Sequence, residues 1–133
     1  MILIDAGPLV ALISPDDRSH DRCREETRVI RDPLGTVWPV VTEAMYLLGS
    51  WGAQDALWEL MESAKVELLP LGTTDCLRMR QLMHKYRDLP MDLADAALVR
   101  IAERERISRI FTLDRRDFAV YRPAGLGRFS LIP

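Results

Sequence analysis

Histidine, cysteine and lysine occur only twice each in these 133 residues, and each scarcity removes a class of function. His20 and His84 stand far apart among charged residues, which leaves no His-based nuclease site and no nucleophile–His–acid triad. Cys23 and Cys76 have neither a Cys-x-x-Cys spacing nor a cysteine-dense framework around them, so no structural zinc and no disulfide scaffold is expected. Both thiols are expected to be reduced and buried as small apolar side chains. No apolar run approaches the roughly 18 residues a membrane span requires, and Met1-Ile2-Leu3-Ile4-Asp5 carries no basic leader. A cytoplasmic protein with no membrane association is the expectation. A large excess of one charge is also missing: the formal net charge is −2, where domains that grip a nucleic-acid backbone are usually basic.

What is present is the composition of an ordinary globular chain, 48% hydrophobic and 29% charged, which predicts one domain over 1–133 that folds by itself. The basic charge is almost all arginine, 16 Arg against 2 Lys, and half of the arginines (Arg100, Arg104, Arg106, Arg109, Arg115, Arg116, Arg122, Arg128) fall in the last third. The planar guanidinium matches phosphate, so an arginine-rich surface beside an acidic site suits phosphodiesters. Genomic base composition and plain solvation explain the same bias.

Short apolar runs at Ile2–Ile4, Gly35–Trp38, Val66–Leu69, Arg109–Thr112 and Arg128–Ile132 read as strands. The first turns through Asp5-Ala6-Gly7-Pro8 into a helix with Pro8 near its first position. Helical periodicity covers Asp17–Arg31, Thr42–Leu48, Ala53–Ser63, Thr74–Tyr86 and Asp92–Arg106. Such alternation predicts an α/β fold, a three-layer α/β/α sandwich around a short parallel sheet. Trp38, Trp51, Trp58 and Tyr46 are candidates for the core or for interface anchors.

In open α/β sheets ligands sit beyond the carboxyl ends of the strands, and four such places carry acids. Asp5 follows the first strand, Glu43 opens the helix after the second, Asp92 and Asp95 open the helix before the fourth, and Asp114 follows the fourth. Singly, each reads as a helix cap or a first-turn acid. Together they crowd charge, which is costly unless a cation lies between them. Asp92 and Asp95, three apart, share a helix face. Oxygen donors of this kind suit a hard cation, Mg2+ or Mn2+.

Four segments in this order resemble the PIN-domain family, especially its VapC-type toxin ribonucleases: Leu3-Ile4-Asp5-Ala6-Gly7-Pro8-Leu9, Val41-Thr42-Glu43-Ala44-Met45-Tyr46-Leu47-Leu48, Leu89-Pro90-Met91-Asp92-Leu93-Ala94-Asp95-Ala96-Ala97-Leu98, and Thr112-Leu113-Asp114-Arg115-Arg116-Asp117-Phe118. The resemblance implies a metal-dependent endoribonuclease, the toxin of a toxin–antitoxin pair. Its catalytic acids would be Asp5, Glu43, Asp95 and Asp114, with metal held by Asp5, Asp95, Asp92 and Asp114. Asp117 competes with Asp114 for the last position. The resemblance also implies RNA products with 5′-phosphate and 3′-hydroxyl ends, a homodimer and a small antitoxin partner.

Arg115, Arg116 and the hydroxyl of Thr112 are expected to touch RNA, although a turn-stabilising hydroxyl is the commoner role for a lone Thr. Two alternatives stand beside this reading. One is a magnesium-dependent phosphotransfer or phosphatase domain. Its haloacid-dehalogenase form wants a second Asp where Gly7 stands, and its receiver form wants a Lys near the end, where only Arg occurs. The other is a non-catalytic binding module that keeps the acids as caps.

Overall fold

The computed structural model describes all 133 residues. Five short strands, β1 (Ile2–Ile4), β2 (Leu34–Thr36), β3 (Val66–Leu68), β4 (Arg109–Phe111) and β5 (Ser130–Ile132), form one parallel sheet in the order β3-β2-β1-β4-β5, with helices on both sides. Ile2, Leu3 and Ile4 of the central strand are wholly buried, as expected where helices cover both faces of a parallel sheet. The helices are α1 (Ala6–Ile13), α2 (His20–Val29), α3 (Trp38–Leu48), α4 (Trp51–Glu62), α5 (Cys76–Lys85), α6 (Leu93–Glu105) and α7 (Arg115–Val120), with a single 3-10 turn at Thr73–Asp75 before α5.

Strand order reverses at β1. The chain steps outward from β1 through β2 to β3, then crosses back so that β4 pairs with the other edge of β1, Leu3 opposite Ile110 and Ile4 opposite Phe111. A crevice opens at the carboxyl ends of two strands whose connections depart in opposite directions. Asp5 and Thr112, the residues that follow β1 and β4, lie at that crevice.

α6 forms the inner wall. Ala94, Ala96, Ala97 and Ala102 are buried together with Leu98, Val99 and Ile101; small side chains let this helix pack close while the larger ones fill the core. At its start Asp92 accepts a hydrogen bond from the Asp95 amide at 2.8 Å, an N-cap of the ordinary kind.

Several sequence expectations change. The strand expected at Gly35–Trp38 ends at Thr36, and the helix expected from Thr42 starts at Trp38, after Val37 as N-cap, with Pro39 in the first turn where its missing N–H costs nothing. Glu43 therefore lies in the second turn of α3, not at its opening. α7, too short to show a helical period, had no counterpart in the sequence reading. Cys76 is exposed, contrary to expectation, whereas Cys23 is buried. Trp38, Trp51, Trp58 and Tyr46 all face outward to some degree and are not core residues.

The arginines of the last third are divided: Arg100, Arg104 and Arg122 are half-buried, and Arg106, Arg109, Arg115, Arg116 and Arg128 are exposed. Arg100 and Arg104 both grip Asp75, Arg109 pairs with Asp32, and Arg106 and Arg122 donate to backbone carbonyls. Arg115, Arg116 and Arg128 make no ion pair.

Candidate active site

Asp5 caps α1. Its Oδ1 accepts the Ala6 amide at 2.8 Å and its Oδ2 accepts the Thr112 hydroxyl at 2.9 Å. That hydroxyl oxygen accepts in turn from the Asp114 amide at 3.0 Å. Thr36 braces the same corner from β2, donating its hydroxyl to the Ile4 carbonyl at 3.0 Å. Thr112 is completely buried, so the expectation that it touches RNA is corrected: its one hydroxyl is committed to fixing Asp5 and the turn after β4.

One cleft is lined by Asp5, Glu43, Asp92, Asp95, Asp114 and Asp117, with Gly7, Leu47, Pro90 and Leu113 between them. All the acids anticipated at the strand ends meet there, and Asp117 joins them rather than replacing Asp114. Asp95, Asp114 and Asp117 each offer one oxygen within 4.8 Å of the others. Three of the six acids are helix caps: Asp5 for α1, Asp92 for α6 and Asp114 for α7, the last accepting the Asp117 amide at 3.2 Å. Capping and convergence are thus both true. Glu43, Asp95 and Asp117 cap nothing; Asp95 and Asp117 are first-turn acids that the helix dipole favours, and Glu43, in the second turn of α3, has no such role.

The electrostatics are those of crowded carboxylates. Burial, then the Asp114 and Asp92 charges, push Asp5 above its ordinary range against the lowering effect of its two hydrogen bonds. Glu43 is raised by partial burial and then by Asp5, Asp92 and Asp114. Asp117 is raised by burial and by Asp114. Asp95 is pushed up to about 8, first by burial and then by the Asp92, Asp5 and Asp114 charges. One interaction opposes the shift: the Tyr121 hydroxyl donates to Asp95 Oδ2 at 2.7 Å.

Tyr121 was not identified from sequence. It stands 26 residues from Asp95 and outside every acidic segment, and no local signal could have found it. Its ring packs edge-to-face on Tyr86 and Phe118 at centroid distances of 5.0 and 5.1 Å, geometry that favours a fixed ring. The aromatic packing under α7 therefore sets where the Asp95 carboxylate points. Arg115 and Arg116 stand exposed just past Asp114.

The family model described as PIN domain matches residues 2–122. The chain belongs to the PIN domain family. Along nearly its whole length this PIN domain is 35% identical to Ribonuclease VapC26 of Mycobacterium tuberculosis, the match covering 99% of this chain and 100% of that one. Two solved structures share its fold at low identity. The M. tuberculosis toxin VapC20, described as cleaving the sarcin-ricin loop, superposes with a TM-score of 0.80 at 15% identity over 87% of this chain and 92% of that one. A toxin–antitoxin complex from Klebsiella pneumoniae superposes with a TM-score of 0.72 at 14% identity over 100% of this chain and 97% of that one. Membership in the PIN family replaces the phosphotransfer alternative.

Proposed function

We propose that this PIN domain is a divalent-metal-dependent endoribonuclease acting in the cytoplasm as the toxin of a toxin–antitoxin pair. The observation that carries the reading is the meeting of six carboxylates at the β1/β4 crevice, three of which cap no helix. The donor set fits a hard cation: every candidate ligand is a carboxylate oxygen, and several of them resist ionising, first through burial and then through one another's charge. Asp5 and Asp95 would hold the ion, with Asp92, Asp114 and Asp117 completing the shell; Mg2+ and Mn2+ both suit it. A bound divalent ion supplies positive charge for the phosphate and acidifies water.

The protein's own groups do the rest. Thr112 and the Ala6 amide orient Asp5, and Tyr121 orients Asp95, so both carboxylates are placed before substrate arrives. Glu43 makes no hydrogen bond and sits on the opposite helix, α3. Its carboxylate is the one free to take a proton from the attacking water or return one to the departing 3′ oxygen. Products would carry 5′-phosphate and 3′-hydroxyl ends.

VapC26 is named a ribonuclease, and the K. pneumoniae neighbour is a toxin bound to its antitoxin. The first favours an RNA substrate here and the second an antitoxin partner; that the antitoxin is small and that the chain forms a homodimer are part of the same proposal. Purified protein freed of antitoxin is expected to cleave single-stranded RNA with Mg2+ or Mn2+ and to stop on addition of EDTA. Cleavage that persists in EDTA would refute the metal requirement.

Arg115 and Arg116, exposed and unpaired, are proposed phosphate contacts. Replacing both by Ala should weaken RNA binding about equally across sequences and flatten its salt dependence, since backbone contacts read no base. An unchanged salt slope would remove them from the RNA surface.

A further inference from the structure

The acid cleft runs on into two neighbouring cavities. It shares Gly7, Leu47 and Leu113 with a larger one, whose remaining wall includes Arg18, Ser19 and Arg22 from the α1–α2 connection and the start of α2. It shares Glu43 and Asp92 with a shallow, mostly apolar hollow containing Trp38, Tyr46 and Leu93. The result is one groove with an arginine end, an acidic middle and an aromatic end.

The arginine end is open to solvent. Arg18 and Arg22 are exposed and, like Arg115 and Arg116, make no ion pair and no side-chain hydrogen bond. Asp17, the carboxylate in the same cavity, accepts the Ser19 amide at 2.8 Å. Two unpaired guanidinium groups in a cavity that opens onto a phosphodiester site are a phosphate subsite in form and charge.

The aromatic end has its own signature. Trp38, Thr42 and Tyr46 recur every fourth residue along α3 and so share one face. Tyr46 is 85% exposed and Trp38 is 49% exposed. The Trp38 indole is steadied by an edge contact with Trp58 at 6.1 Å. Large aromatic faces held open to solvent are platforms for unpaired bases. A second copy of the chain seated there would also cover Glu43 and Asp92, and with them the mouth of the cleft.

We propose that single-stranded RNA lies along this groove, with Arg18 and Arg22 holding a phosphate next to the scissile one and an unstacked base lying on Tyr46 and Trp38. The inference rests on the ribonuclease reading and adds a requirement to it: the nucleotide at the aromatic end must be unpaired, because a base inside a duplex cannot reach Tyr46.

The test is binding of a fluorescent single-stranded oligoribonucleotide to the full chain, with Ca2+ replacing Mg2+ and the probe verified intact, alongside single-turnover cleavage in Mg2+ and light scattering on every variant. The Arg18→Ala/Arg22→Ala variant should bind about tenfold or more weakly, with a log–log salt slope shallower by about 0.7, the release expected for one phosphate contact on a single strand. Tyr46→Ala should bind about tenfold more weakly and Tyr46→Phe should restore binding, because stacking needs the ring and not the hydroxyl. If wild type cleaves RNA and the variants bind as it does, the groove assignment fails and the ribonuclease reading stands. If Tyr46→Ala changes the assembly state in step with affinity, the aromatic end is an interface between copies and the assignment fails there. If wild type neither binds nor cleaves RNA, both fall together.

Discussion

Asp95→Asn is expected to lower RNA cleavage by on the order of 10³-fold while leaving the fold intact, a loss of about 4 kcal/mol of transition-state stabilisation. The substitution keeps the shape of the side chain and its hydrogen-bond acceptor for Tyr121, but removes the charge a divalent ion needs. The same variant separates a metal ligand from a first-turn acid that only favours the helix dipole.

Folded Asp95 titrates near 8, against an ordinary 3.8. Between roughly pH 4 and pH 8 the metal-free folded protein therefore holds a proton that the unfolded chain has released, so its stability falls as pH rises through that window. Asn carries no such proton. The metal-free variant should lose less stability across the window and be at least as stable as metal-free wild type at pH 8. Bound Mg2+ reverses the order by favouring the ionised acid, adding roughly 2.7 kcal/mol when free ion stands a hundredfold above its dissociation constant. Melting curves at matched ionic strength, with and without Mg2+, should show a Mg2+-dependent rise for wild type that shrinks in Asp95→Asn. A near-wild-type cleavage rate, or an equal Mg2+ shift in both proteins, would reduce Asp95 to a structural acid.

A second large effect is expected far from the cleft. Asp75 is 1% exposed and accepts from Arg100 Nε at 2.8 Å, Arg104 Nη1 at 2.9 Å and the Gly72 amide at 2.9 Å. Asp75→Ala leaves two guanidinium groups on α6 facing each other with nothing between them. Removing one partner of a fully buried pair costs about 3–5 kcal/mol. Both arginines keep about a quarter of their surface in water, which screens them, so about 2–3 kcal/mol is the expected loss. The Gly72 amide and the two arginines hold the Asp75 carboxyl below its usual range. The contribution is therefore complete above the ordinary pKa and is lost as pH falls through the depressed one. Urea titration at pH 7 and at pH 3 should show a large difference between wild type and variant at the first and a smaller one at the second. A loss under about 0.5 kcal/mol at pH 7 would mean that the network is solvated surface charge.

Most of the acid cleft was legible in sequence because chain topology does the assembling. An aspartate just past a buried strand is carried to the carboxyl edge of the sheet whatever the details, and Asp5, Asp92, Asp95 and Asp114 all sit beside strand or helix boundaries that periodicity locates. Glu43 was assigned to the site for a partly wrong reason: Val37–Val41 hides its helical period inside an apolar run, so α3 seemed to begin one turn late. Tyr121 and Thr36 were invisible because their partners lie across the fold. Thr112 was given to RNA because sequence cannot show that its hydroxyl is enclosed. For the arginines of the last third number is readable and partner is not: sequence does not show that Arg100 and Arg104 are committed to Asp75 while Arg115 and Arg116 stay free. Tryptophan on a helix carries no mark of which face it occupies, and here the outward face won for all three.

The division of labour among the six acids has an evolutionary reading. Asp5, Asp92 and Asp114 each hold the first turn of a helix as well as facing the cleft, so a copy of this gene that no longer needed to cut RNA would still be under selection to keep them, or to replace them only by Asn, Ser or Thr. Glu43, Asp95 and Asp117 cap no helix, and burial together with the charges of Asp92 and Asp114 holds all three above their ordinary range, so neutral replacements relieve that cost once the cation is no longer required. Decay of the enzyme would therefore begin at those three positions, and a descendant with intact caps but neutral residues at 43, 95 and 117 would be a folded protein that has given up its chemistry.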